Sequence, residues 1–111
     1  MRKQPKSPPV KKDGREFLSG FIRLHVLYHA AKAPLVGFWM MEELRRHGYR
    51  LSAGTLYPLL HGLERRGYLR STSRREGRRS WREYRATPAG RRALEGAKGK
   101  LQELFHELME E

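Results

Sequence analysis

Residues 51–69 read LSAGTLYPLLHGLERRGYL, and RSTSRREGRRSWREYRAT follows at once at 70–87. Leu56, Leu59, Leu60 and Leu63 recur at i, i+3, i+4 and i+7, the spacing that puts apolar side chains on one face of a short helix. The opposite face carries Thr55, Tyr57, His61 and Arg65, with Ala53 and Gly54 near its start, small enough to let the helix end approach another backbone closely. Ser52 is predicted to cap this helix by accepting from a first-turn N–H, although Thr55 stands where a capping box would place Glu or Gln. Pro58 removes one internal backbone bond and is predicted to bend the axis. The second segment reads as two strands around Glu76-Gly77, with Tyr84 and Ala86 alternating on one side of the return strand. An amphipathic helix with a free polar face, feeding directly into a basic hairpin, predicts double-stranded DNA as the partner.

Composition narrows the alternatives. The 111 residues support one core, and a net charge of +12 points to a polyanion. A hydrophobic content of 38% with 10% aromatics argues against a wholly disordered basic chain. The charge is concentrated: residues 65–92 hold eleven arginines against two acids, whereas residues 93–111 hold five glutamates against two lysines. Arginine suits phosphate because its planar fork donates two hydrogen bonds at once. The absence of cysteine excludes disulfide frameworks and thiolate metal sites. No apolar run is long enough for a membrane span, and no apolar segment follows the basic N-terminus as a secretory signal would require, so a cytoplasmic protein with no membrane partner is expected.

Working outward, residues 1–15 are expected to form a disordered basic tail, rich in lysine and proline and poor in apolar residues. Residues 16–31, EFLSGFIRLHVLYHAA, are apolar on nearly every side, which predicts a first helix buried against its own domain and against something else. Ala33-Pro34 ends it. Gly37 opens a second helix in which Phe38, Met41 and Leu44 share a face, and Gly48 is a natural left-handed stop. Thr87-Pro88 starts the last helix, threonine as cap and proline at the first helical position. In that helix Leu94, Ala97, Leu101, Leu104 and Leu108 follow the 3-4-3-4 spacing of a coiled-coil seam, with Phe105 beside it. Gly90, Gly96 and Gly99 weaken the helix by roughly 1 kcal/mol each, so packing must stabilise it. A homodimer is predicted, joined through this seam and backed by Phe21 and Leu24 of the first helix. The expected fold class is mainly α with a small β-hairpin (α+β): a winged helix-turn-helix at residues 16–87 and a C-terminal dimerisation helix at 88–111.

FLSGFIRLHVLYHAA, WMMEELRRHGYRLSAGTLYPLLHGLERRGYL and GRRSWREYRATPAGRRAL together resemble the PadR family of bacterial transcriptional regulators, over about residues 17–94. The resemblance implies a homodimeric winged-helix repressor on a pseudo-palindromic operator, released in many relatives by a small aromatic or drug-like effector. It marks Ser52, Thr55 and Tyr57 and the wing around Gly77 to Tyr84 as DNA contacts, and pairs the single C-terminal helix with the first helix of the other chain. With the residues read directly, the candidate DNA-binding set is Ser52, Gly54, Thr55, Tyr57, His61, Arg74, Arg75, Arg78, Arg79, Arg82 and Tyr84. Trp81 and Glu83 depart from the family's pattern, which predicts a wing aimed differently.

An enzyme is not expected. The sole aspartate, Asp13, lies in the tail, and no nucleophile, base and acid can be assembled from plausible neighbours. His25 and His29, one turn apart, are the one metal-like pair; helix packing or dimer contacts are the readings preferred, with no metal and no cofactor, and His47, His61 and His106 read as isolated. The main alternative from another class is an RNA-binding or ribosome-associated basic module, which explains the charge but not the heptad helix. A protein-binding adaptor would not need the arginines.

Overall fold

The computed structural model describes residues 16–110, so the tail expected at 1–15 lies outside the described residues. The elements are α1 (Ser19–Lys32), β1 (Leu35–Val36), α2 (Gly37–Arg46), α3 (Ala53–Arg65), β2 (Leu69–Glu76), β3 (Arg79–Ala86) and α4 (Pro88–Met109). The strands form one antiparallel sheet in the order β1-β3-β2. Among the described residues, four helices and this small sheet make the expected α+β winged helix. No helix among the described residues is long and apolar enough to cross a membrane.

The apolar periodicity of α3 sets the core. Leu56, Leu60 and Leu63 are buried against Ile22, Val26, Leu27 and Ala30 of α1 and Met40 and Leu44 of α2. Leu59, at the edge of the same stripe, is only partly buried and lines a groove between α1 and α3 with Ile22 and Pro58. In α2 the buried face is Gly37, Met40 and Leu44, with Met41 partly covered. Phe38, expected on that face, is 66% exposed: at about 100° per residue it points roughly 160° away from Met40 and 120° away from Leu44. Gly48 and Gly67 end α2 and α3 at φ +90° and +84°, where a side chain would strain the backbone.

The hairpin pairs from Leu69↔Ala86 out to Glu76↔Arg79, leaving Gly77-Arg78 as a two-residue turn. Gly77 takes φ +62° at its first position while Arg78 does not, the turn geometry whose twist matches the strands it joins. Tyr84, expected among the DNA contacts, is instead 1% exposed and belongs to the core. It lies on the inner row of β3, opposite Ser71 in β2 and Leu35 in β1. Strand β1 leaves no signal in the sequence, because two residues carry no periodicity and Pro34 reads as a break.

Helix α4 starts as predicted: the Thr87 hydroxyl accepts from Gly90 N at 3.0 Å, with proline in the first turn. The same hydroxyl donates to the Gly67 carbonyl, tying the start of α4 to the end of α3. Gly90 passes so close to the backbone that an added Cβ would overlap the Tyr68 carbonyl oxygen. This approach brings Leu94 into the domain's own core, 9% exposed, so the first residue assigned to the dimer seam is already covered within the chain. Ala97 and Leu101 are partly covered, whereas Leu104, Phe105, Leu108 and Met109 stand exposed on the outer half of α4. The described structure is correspondingly elongated, 56 × 33 × 29 Å.

Gly90→Ala forces α4 away from the Tyr68 carbonyl, and the expected loss is about 1–3 kcal/mol, the usual cost of overpacking. Urea unfolding of the two proteins measures it; equal midpoints would mean that α4 docks loosely.

Candidate nucleic-acid interface

The exposed face of α3 is polar by the same periodicity that buries its leucines. Ser52, Gly54, Thr55, Tyr57 and His61 all reach the surface. Ser52 occupies the N-cap position but makes no side-chain cap bond; its hydroxyl instead lies 3.4 Å from that of Thr55. Both hydroxyls stay on the surface at the start of the helix. Tyr57 is only 36% exposed, because its ring lies across Gly37 at the start of α2. A Cβ on Gly37 would stand 2.5 Å from the Tyr57 hydroxyl oxygen, so only glycine there admits the ring in this position.

The strand register sorts the hairpin's residues into two rows. Ser71, Ser73, Arg75, Ser80 and Arg82 continue the inner row of Leu69 and Tyr84, on the side of the sheet that faces α3. Arg70, Thr72, Arg74, Arg79, Trp81, Glu83 and Arg85 form the outer row. The predicted arginines therefore do not act alike. Arg74 donates from Nε to Glu83 Oε1 at 3.2 Å, and the Trp81 indole N–H donates to Glu83 Oε2 at 3.1 Å. Those two hydrogen bonds, the indole's first, hold the Glu83 carboxyl below the usual carboxylate range. Arg79 lies over the Trp81 ring, 5.8 Å from its centroid, and Arg75 donates to the turn carbonyl of Gly77. Arg82 donates from Nη1 to Ser71 Oγ at 2.9 Å. Trp81 and Glu83 thus organise the outer row.

Between the start of α2 and the hairpin, with Tyr57 of α3 at its side, lies a cleft of about 470 Å³, lined by Phe38, Tyr57, Arg79, Ser80, Trp81 and Arg82 among others. It brings together an exposed helix, three aromatic rings and two guanidinium groups. Phe38 and Trp81 were absent from the predicted set: Phe38 read as core, and Trp81 read only as a departure. Exposed aromatics flanking arginines in the wing were the signal available for them.

A core of three helices with a β-hairpin beside the polar face of the third defines a winged-helix transcriptional regulator. Residues 26–96 match the Transcriptional regulator PadR-like family, and the chain belongs to it. It is 52% identical over 95 residues to Transcriptional regulator Rv3488 of Mycobacterium tuberculosis, an overlap of 86% of this chain and 89% of that protein. The crystal structure of a PadR family transcriptional regulator from Eggerthella lenta superposes with a TM-score of 0.74 at 30% identity, covering 84% of this chain and 82% of that one. A transcriptional regulator from Thermoplasma acidophilum, TA0346, described as putative, also gives 0.74, at 27% identity, over 84% and 91% of the two chains.

A second cluster lies between α1 and α2. Glu43 Oε2 is 3.1 Å from His47 Nε2 and 3.5 Å from His29 Nε2, and Arg46 approaches the other carboxylate oxygen at 3.5 Å. His25 stacks on His47 with ring centroids 4.8 Å apart and meets Tyr49 edge-on; His29 meets Trp39 edge-on at 5.1 Å. His47, read as isolated in the sequence, joins this group by bridging Glu43 and His25. The pair His25 and His29 does pack between helices, and among the described residues no group of three His, Cys, Asp or Glu is placed to hold a metal ion. Burial first, and then the neighbouring imidazoles, pushes the His25 pKa down; burial likewise lowers that of His29, against the pull of Glu43 and with help from His47 and Lys32.

Both histidines hold their protons less tightly in the folded chain than in the unfolded one, so unfolding takes up protons in acid. The stability they permit is present in full above the unfolded value of about 6.5 and declines as pH falls below it. Thermal unfolding between neutral and mildly acidic pH is expected to show this decline, and His25→Phe is expected to flatten it. An unchanged pH profile in that variant would place the titration elsewhere.

Proposed function

We propose that the chain binds double-stranded DNA sequence-specifically as a homodimer, presenting α3 to the major groove and the hairpin wing to the phosphates. The observation that supports this reading is one cleft that brings Tyr57 of α3 and Phe38 of α2 against Arg79 and Arg82 of the wing, with Ser52, Gly54, Thr55 and His61 exposed elsewhere on α3. Ser52, Gly54, Thr55 and His61, with the exposed edge of Tyr57, are the groups suited to base edges and nearby backbone. Arg75, Arg78, Arg79 and Arg82 are suited to phosphate; Arg74, held by Glu83, contributes less. The buried Tyr84 has no part in the contact.

The dimer is supported by the outer half of α4, where Leu104, Phe105, Leu108 and Met109 are 47–65% exposed. Phe21 on α1 is 41% exposed and offers the matching apolar surface, with Leu24 largely turned to its own core. Contiguous exposed apolar residues of this kind mark an association surface. Two copies so joined would set two α3 helices ~34 Å apart or a multiple of it, matching successive major grooves. Repression of a pseudo-palindromic operator in the cytoplasm follows from the family likeness. Relief by a small aromatic effector is part of the same reading; the feature that supports it is a cleft of about 360 Å³ beside the half-exposed Trp39.

Changing Arg75, Arg78 and Arg79 to alanine is expected to weaken binding across all duplex sequences. The slope of log K against log salt should flatten by about one unit per lost phosphate contact. An unaltered slope would reduce the wing to a solubilising surface. Leu104→Glu places an unpaired charge in the association surface, and light scattering should then report a monomer that no longer retains operator DNA in a gel shift. A wild-type monomer, or a dimeric variant that still binds, would remove the dimer from the mechanism.

A further inference from the structure

Glu64 lies in the last turn of α3, next to the most arginine-rich part of the chain, yet its carboxylate turns to a serine. Its Oε2 accepts two hydrogen bonds from one residue of β2: the backbone N–H of Ser71 at 3.0 Å and the Ser71 hydroxyl at 2.8 Å. The same hydroxyl accepts from Arg82 Nη1 of β3 at 2.9 Å. Strand β2 is at the sheet's edge, so its outward N–H groups have no neighbouring strand to bond. Glu64 occupies one of them. Three elements, α3, β2 and β3, are therefore joined in one chain of charge-assisted hydrogen bonds, which are shorter and stronger than neutral ones. The hydroxyl passes its hydrogen to the carboxylate and presents its lone pair to the guanidinium, so a single serine fixes both.

We infer that Glu64 is a positioning residue: through Ser71 and Arg82 it sets the angle between the recognition helix and the wing, and so determines which duplexes the two can engage together. The inference rests on the DNA-binding reading above. Without the link the hairpin is still anchored at its base by Leu69 and Tyr84, but its outer half, from Ser71 to the turn, has no other bond to α3 among the hydrogen bonds of the described residues. Specific recognition needs helix and wing in register with one another, whereas non-specific attraction needs only the charge.

The two roles predict opposite signs. Duplex enriched by the full-length wild-type chain from a random library serves as the specific probe, and unselected random duplex as the non-specific one. Glu64→Ala removes a negative charge from a DNA-facing region, so electrostatics alone would tighten binding to both. Positioning predicts that affinity for the selected duplex falls about tenfold while affinity for random duplex holds or rises, the scale of one mismatched base pair. Hydrogen exchange at the Ser71 amide should accelerate in the same variant. Glu64→Gln makes the same change of charge, but its amide oxygen can still accept both Ser71 donors, and it should recover most of the selected affinity. Equal tightening on both probes, or a glutamine variant no better than alanine, would overturn the inference. Should Glu64→Ala fail to fold, Ser71→Ala breaks the link to Arg82 without touching the helix, and the same loss confined to the selected duplex is expected; no loss overturns it. If the wild-type chain enriches no sequence, the DNA-binding reading itself fails and the inference falls with it.

Discussion

The burial of Tyr84 is the constraint on which the arrangement depends. A two-stranded hairpin in water is marginal by itself, and this one carries so many arginines that self-repulsion adds to the difficulty. What makes it a fixed appendage is an anchor in the helical core: Leu69 on β2 and Tyr84 on β3 are 2% and 1% exposed, among Leu56, Leu60 and Leu63 of α3. Tyr84 also stands at the centre of the sheet, between Leu35 and Ser71. Burial raises its phenol pKa, as expected for a hydroxyl kept from ionising by its surroundings. The same leucine stripe that makes α3 a helix thus receives the wing, and the polar face of α3 is left outward because the other is filled.

The elements whose signals are local were legible in the sequence. The leucine spacing of α3, the Thr87-Pro88 start of α4 and the Gly77 turn each depend on neighbours within a few residues, and each appears where it was expected. Contacts between elements were not legible in the same way. Tyr84 alternates with Ala86 toward the core, a pattern visible beforehand, yet family likeness drew the whole stretch up to Tyr84 into the contact set. Leu94 fits the heptad as well as Leu101 does. Only the approach of Gly90 to the Tyr68 carbonyl, a contact between α4 and the turn after α3, shows that Leu94 faces inward.

The histidines illustrate the same limit. His25 and His29 share a helix face by spacing, and Glu43 and His47 share another, but nothing local brings the two pairs together. Packing of α1 on α2 does so, with Glu43 between two imidazoles. A partly buried carboxylate can hold one protonated neighbour; further protons meet like charge and a desolvated site. The cluster suits neutral histidines acting as packing groups, and it lies on the helix that also carries the exposed Phe21 and Tyr28.

Charge alone is a poor guide to the wing, and Glu83 shows why. Glu83 fixes Arg74 and the Trp81 indole on the outer row, and Trp81 in turn underlies Arg79. On the inner row the Ser71 hydroxyl takes one hydrogen of Arg82. Glu83 lowers the local net charge, which by electrostatics alone would weaken attraction to a polyanion. It also removes rotamer freedom from Arg74, which would otherwise lose it on binding, a loss of up to about 2 kcal/mol for an arginine. A wing with fewer free charges but more fixed ones gives up some indiscriminate attraction and gains a defined geometry. On the DNA-binding reading proposed above, that exchange would favour selectivity, because net charge alone cannot distinguish one duplex from another whereas fixed guanidinium groups hold the chain in one register on it.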